Sequence, residues 1–154
     1  MKVLHIIDSL GLGGAQILLK GLFEIQIANK DIYLFALRKS EVEITVNHDN
    51  CFVYNSHSKY SFGNINQLKK LIKQENIEVI HCHLIRSYIT GWVLKSIYFP
   101  KIKLIFHQHN FISYLRFEKI ILKLIDKRLI NIFIAVSNSC KKELVDILGI
   151  KEEK

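Results

Sequence analysis

Two His-x-His pairs, His81 with His83 and His107 with His109, and a glycine turn at Gly11, Gly13 and Gly14 are the residues whose types and spacing could do chemistry. Each pair closes an apolar run, Val79-Ile80 in one case and Leu104 to Phe106 in the other, so each reads as the end of a β-strand. Strand side chains alternate between faces. His81 and His83 therefore share one face while Cys82 takes the other, and the same holds for His107 and His109 around Gln108. Imidazoles can hydrogen-bond, move a proton or ligate a metal near neutral pH. A metal held between two adjacent strand ends is one reading. Against it, no carboxylate stands beside either pair, and a neutral histidine at a strand end is more often bonded to backbone, so no metal is expected.

The glycine turn follows the apolar run Val3, Leu4, Ile6, Ile7 and precedes a helical pattern that begins at Ala15. Exposed amides of such a turn and the positive end of the helix converge on one point, which suits a phosphate. A plain βα connector explains the same glycines equally well. A dinucleotide fingerprint does not, because Gln16 stands where its third glycine should be and the second strand ends in Arg38, not an acidic ribose partner.

These residues need elements to position them. Apolar, β-branched runs recur at 2–8, 31–37, 51–54, 78–83, 103–107 and 131–136, separated mostly by helical patterns at 14–28, 64–75, 85–98, 114–129 and 138–148. Alternation of this kind predicts an α/β fold, Rossmann-like, with a doubly wound, mainly parallel sheet and helices on both faces. Residues 39–63 are expected to be loops around a short strand. Ser137, Asn138 and Ser139 are candidate caps for the final helix, and Gly149 is placed to end it. In such a sheet, ligands gather beyond the carboxyl ends of the strands. The glycine turn, both His-x-His pairs and Ser137 all fall there.

The chain has 154 residues, 49% of them hydrophobic, enough for one domain with a real core. Cys51, Cys82 and Cys140 form no Cys-x-x-Cys pair and read as free thiols. No apolar run approaches the ~20 residues of a membrane span, and no signal peptide is recognisable, so a cytoplasmic location is expected.

Of the net charge of +8, six units lie between Lys95 and Arg128, where eight basic residues face only Glu118 and Asp126. On a helix over 114–129, Arg116, Lys119, Lys123 and Lys127 would fall on one arc, opposite Ile121, Ile125 and Leu129. Such a face can rest peripherally on anionic lipid. A solvated helix face is the competing reading. Nucleic acid ranks below both, because the aromatic residues are not interleaved with the basic ones.

The segments KVLHIIDSLGLGGAQ, IEVIHCHLIRS, KLIFHQHNF and IFIAVSNSCKKELVDILGI resemble, in order and spacing, the N-terminal domain of glycosyltransferase family 4, the retaining enzymes of GT-B fold. Across essentially the whole chain, the resemblance implies roles residue by residue. Gly13 and Gly14 match a glycine pair that approaches the diphosphate of a nucleotide-sugar donor. His109 matches the histidine that contacts the transferred sugar and is tied to catalysis. His83, with Arg86 and Ser87 behind it, matches the acceptor pocket, and Ser137 lies near the floor of the cleft. His107 is a departure, an extra histidine that leaves the choice between itself and His109 open.

Transfer of a glycosyl group builds negative charge on the departing phosphate, which backbone amides and a helix N-terminus can stabilise. The resemblance thus implies no cofactor, with the nucleotide-sugar as donor substrate and a glycan or lipid-linked acceptor as its partner in glycoconjugate synthesis. It also implies a second, nucleotide-binding domain, in cis or in trans, so that residues 1–154 would be the acceptor-side half and inactive alone. The alternative is a stand-alone Rossmann-like module that holds a phosphorylated small ligand on Gly13 and Gly14 without catalysis.

Overall fold

A computed structural model describes residues 1–55, 61–110, 120 and 122–150 of the chain. Its strands are β1 (Val3–Ile7), β2 (Ile32–Ala36), β3 (Cys51–Val53), β4 (Val79–His83), β5 (Lys103–Gln108) and β6 (Ile132–Ala135). The α-helices whose bounds fall wholly among the described residues are α1 (Gly14–Ile25), α2 (Phe62–Glu75), α3 (Ile85–Val93) and α4 (Asn138–Leu148). All six strands are parallel, in the order β3-β2-β1-β4-β5-β6. The chain winds outward from β1 in one direction and from β4 in the other, and the order reverses between them. That switch point is where a doubly wound sheet opens a crevice.

Strands buried on both faces read as continuous apolar runs, and β2 is buried at every position. One face packs Leu4, Ile6, Ile80, Leu104 and Phe106 against a core that includes Leu68 and Ile72 of α2, Tyr88 of α3 and Leu144 and Leu148 of α4. On the other, Leu19 and Phe23 of α1 cover Ile7, Leu34 and Ala36 at the β1–β2 half of the sheet. Among the described residues, only this second face of the sheet carries histidines. The register sets His5 beside His81 and Ile7 beside His83, which in turn neighbours His107.

Local signals set the helix ends. Ser137 caps α4 by accepting the amide of Cys140 at 3.2 Å, and Gly149 ends it in the left-handed region at φ 62°. α1 stops at Ile25, three residues before the boundary drawn from periodicity, and α3 passes into a wide π turn over Leu94–Tyr98. The predicted single helix over 114–129 needs correction. The described part is helical at Ile120 and over 122–124, then breaks, and Asp126 caps a separate 3-10 turn, Lys127–Leu129, by accepting the amide of Arg128 at 3.0 Å. An Asp followed by donors two residues on favours this local turn over helix continuation.

Gly91 lets α3 approach the sheet. A Cβ there would run into Cys82 Sγ and lie 3.0 Å from Leu104 Cδ1. Because both neighbours are fully buried, Gly91→Ala is expected to cost about 1–3 kcal/mol through overpacking, despite alanine's better helix propensity. Urea denaturation checks this, and an unchanged midpoint would refute the close packing.

Candidate functional site

The carboxyl ends of β1, β4, β5 and β6 carry the predicted residues, and the structure brings most of them to one edge of the sheet. α1 begins at Gly14 with Gly13 as its cap residue, and among the described residues no side chain caps it. Its first-turn amides are thus left for a ligand. Gln16 does not fill that place. Its Nε2 donates to the Ser9 carbonyl at 3.2 Å, and its Oε1 lies 2.5 Å from where a Cβ on Gly13 would sit. Gly13 is therefore held close to a buried, anchored side chain, whereas a Cβ on Gly14 would meet nothing within 4 Å.

Next to this turn, Asp8 follows β1 and gathers two arginines. Arg38 Nη2 donates to Asp8 Oδ2 at 2.9 Å, with Nε 3.2 Å from both carboxylate oxygens, and Arg86 Nη1 donates to Oδ2 at 2.6 Å. Asp8 is the least exposed of the three side chains at 13%. Two guanidiniums against one carboxylate leave a net positive charge at the crevice. Arg86, assigned to the acceptor side on resemblance, thus turns toward Asp8, which spans the switch point.

The histidines form a continuous row. His5 Nδ1 lies 3.0 Å from His83 Nε2, and His83 Nδ1 lies 2.9 Å from His109 Nε2. A neutral imidazole donates through one nitrogen and accepts through the other, so His83 relays one hydrogen-bond direction between its two neighbours. His81 and His107 stack beside them, their ring centroids 5.3 Å apart, but His81 Nε2 and His107 Nδ1 are buried without a partner among the described residues. Burial disfavours the imidazolium along the row. It pulls His5 and His109 down to about 4, and His81 to about 3 with help from the neighbouring histidines. His83 is pushed well below the ordinary histidine value for the same reasons, and burial also lowers His107. All five are neutral near pH 7.

Ser87 is fully buried, and its hydroxyl lies 2.7 Å from both the His83 and Leu84 carbonyls. It braces a strained turn: Leu84, between His83 and α3, sits at φ 69°, a conformation costly for any residue with a Cβ. Ser137 is occupied as the cap of α4, while remaining exposed at the end of β6. Of the basic stripe, Arg116 and Lys119 lie outside the described residues. Lys123 is exposed, and Lys127 stands on the separate 3-10 turn, so those two do not share a helical arc. Sequence reasoning missed His5 and Asp8, although the pairing of β1 with β4 would have aligned His5 with His81.

Residues 29–154 match the family model described as Glycosyltransferase Family 4. The chain belongs to this glycosyltransferase family. Among solved structures, HepE from Anabaena in complex with UDP aligns over 99% of this chain and 42% of its own, with a TM-score of 0.75 at 15% identity. The apo lipopolysaccharide outer core galactosyltransferase WaaB aligns over 99% of this chain and 44% of its own, with a TM-score of 0.72 at 14% identity. UDP-N-acetylglucosamine 2-epimerase from Rickettsia bellii gives a TM-score of 0.65 at 13% identity, over 99% and 43%. No curated protein matches the chain. The Rossmann-like half of a GT-B fold is thus confirmed, and the chain spans about two fifths of the length of these structures. The matched family segment begins after the glycine turn, so that turn is identified by its geometry.

Proposed function

We propose that this member of glycosyltransferase family 4 is the acceptor-side half of a retaining enzyme that moves a sugar from a nucleotide-sugar to a glycan or lipid-linked acceptor. The observation that carries the reading is the uncapped start of α1 at the switch point, at the same sheet edge as His83 and His109. The amides of Gly14 and its successors receive the donor's diphosphate, with Arg38 and Arg86 adding positive charge nearby. His109, half-buried and neutral, presents a ring nitrogen to a sugar hydroxyl, oriented through His83 and His5. Charge on the departing phosphate grows during transfer, so fixed amides stabilise the transition state more than the ground state. On the acceptor side, His83 is buried and acts through His109, Arg86 reaches from that side to Asp8, and Ser87 holds their turn in place. A second, nucleotide-binding domain completes the cleft, a reading supported by the length of the similar structures.

Titration of the isolated chain with UDP, followed by amide NMR, tests the phosphate cradle. Weak, saturable shifts centred on Gly13 to Gln16 are expected. Gly14→Ala should weaken them while changing stability by no more than about 0.5 kcal/mol, since a Cβ there enters open space. Shifts elsewhere would remove the cradle. Tight nucleotide binding would favour the stand-alone module, and sugar transfer by this chain alone would overturn the division between two domains. In the two-domain enzyme, His109→Ala is expected to lower kcat on the order of 10²-fold with intact folding. A larger loss in His107→Ala would exchange their roles.

A further inference from the structure

The histidine row offers a chemistry that glycosyl transfer does not use. We propose that His83, His107 and His109 form a three-imidazole site for a borderline divalent transition ion of the zinc class. One ring nitrogen from each lies within 4.8 Å of the other two. His83 Nδ1 and His109 Nε2 are 2.9 Å apart. Two imidazole nitrogens on one tetrahedral ion, each at about 2.0–2.1 Å, stand roughly 3.3–3.4 Å apart, so a small rotation of either ring admits the ion between them. His107 Nδ1 is buried and, among the described residues, has no partner. A ligand for that nitrogen would account for its burial.

The surroundings match the demands of such a site. His83 Nε2 faces His5 Nδ1 at 3.0 Å, so a proton on Nε2 donates to His5 and leaves the Nδ1 lone pair aimed at the ion. That is the outer-shell hydrogen bond that fixes a ligating histidine's tautomer. His5 is itself held edge-on by Phe23, with ring centroids 5.6 Å apart. His107 and His109 are half-buried at the carboxyl end of β5, which provides a way in for an ion. Neutral imidazoles without a carboxylate among them disfavour magnesium and calcium, and suit zinc, cobalt, nickel or copper. Cys82 points to the opposite face and takes no part. The second triad, His5, His81 and His83, shares His83 and competes for the same ion. His83 is common to both, and the outer triad is favoured because its other two ligands, His107 and His109, are half-buried, whereas the inner one adds His5, which is almost fully buried. An ion on His109 Nε2 would take the place of that nitrogen's contact with His83 and leave only Nδ1 for a sugar hydroxyl.

The test uses the whole chain, freed of metal by a chelator and titrated with zinc chloride by calorimetry and with cobalt chloride by visible absorption. One ion per chain, with micromolar or tighter affinity and the intense absorption of tetrahedral cobalt, is expected. His107→Gln and His109→Gln should each weaken binding about 10-fold or more, and His81→Gln should leave it within about threefold. Loss on His81→Gln with retention on His107→Gln would overturn the placement. Absence of saturable binding would overturn the site, leaving the 2.9 Å contact as a hydrogen bond only. Should a variant fail to fold, paramagnetic broadening by nickel in the unaltered chain decides the matter. Ring signals of His83, His107 and His109 must broaden ahead of those of His81, and the reverse order refutes the proposal.

Discussion

Acidifying the chelator-treated chain from pH 6.5 toward 4 is expected to unfold it. Well above pH 6.5 the histidines are neutral in both the folded and the unfolded chain, and there their titration contributes nothing to the pH dependence. As the pH falls, the unfolded chain takes up protons at the ordinary histidine value of about 6.5. In the fold, His5 resists protonation until about 4 and His81 until about 3, and His83 is also held well below the ordinary value. Between these limits the unfolded state binds more protons, so stability rises with pH and drains away as the pH drops. Each such histidine contributes a slope of about 1.4 kcal/mol per pH unit in the fully developed window, and three together on the order of 4. Two pH units of that slope match the whole stability of an ordinary domain. Urea midpoints between pH 7 and 5 isolate the effect, because ordinary carboxylates titrate lower. His81→Leu sharpens the test: it deletes a buried nitrogen that has no partner, so it should not weaken the fold at pH 7 and should flatten the slope by about one proton. A midpoint that stays constant down to pH 5 would show that the row is hydrated and not buried.

Asp8→Ala is the substitution with the largest expected cost at the crevice. The carboxylate accepts from Arg38 and Arg86 together, and its removal leaves two guanidiniums facing each other with no counter-charge. Breaking a buried pair by deleting one partner costs about 3–5 kcal/mol. The arginine side chains retain 29% and 20% exposure and keep some hydration, so roughly 2–4 kcal/mol is expected here. Arg38→Ala should cost less than Asp8→Ala, because Arg86 still neutralises the carboxylate, and Asp8→Asn should fall between them by retaining one acceptor oxygen. Chemical denaturation orders the three. A cost for Asp8→Ala below that of Arg38→Ala would mean that the carboxylate does not hold the crevice together.

Periodicity made the element order and the parallel α/β class legible, because strand and helix repeats are local and each βα unit carries both. It placed His83 and His109 on strand ends for the same reason. It failed at the end of the helix drawn over 114–129, whose residues 114–119 and 121 lie outside the described ones: an apolar repeat extends through Asp126, although that residue's carboxylate takes the Arg128 amide and starts a new turn. His5 was hidden inside an apolar run, since nothing in the local sequence separates a histidine packed against Phe23 from one at a ligand site. Ser87 and Ser137 looked like site hydroxyls by position, yet the fold spends both on backbone groups.

By itself, then, the sequence determined which residues reach the carboxyl edge of a parallel sheet and which face of its strand each occupies. Only the tertiary structure decided what they meet there. Strand order and register join His5 to His83 across 78 positions, His83 to His109 across 26, and Asp8 to arginines 30 and 78 residues away. Such pairings arise from packing the whole sheet, whose burial of apolar faces selects one register, and no local pattern records which strand lies beside which.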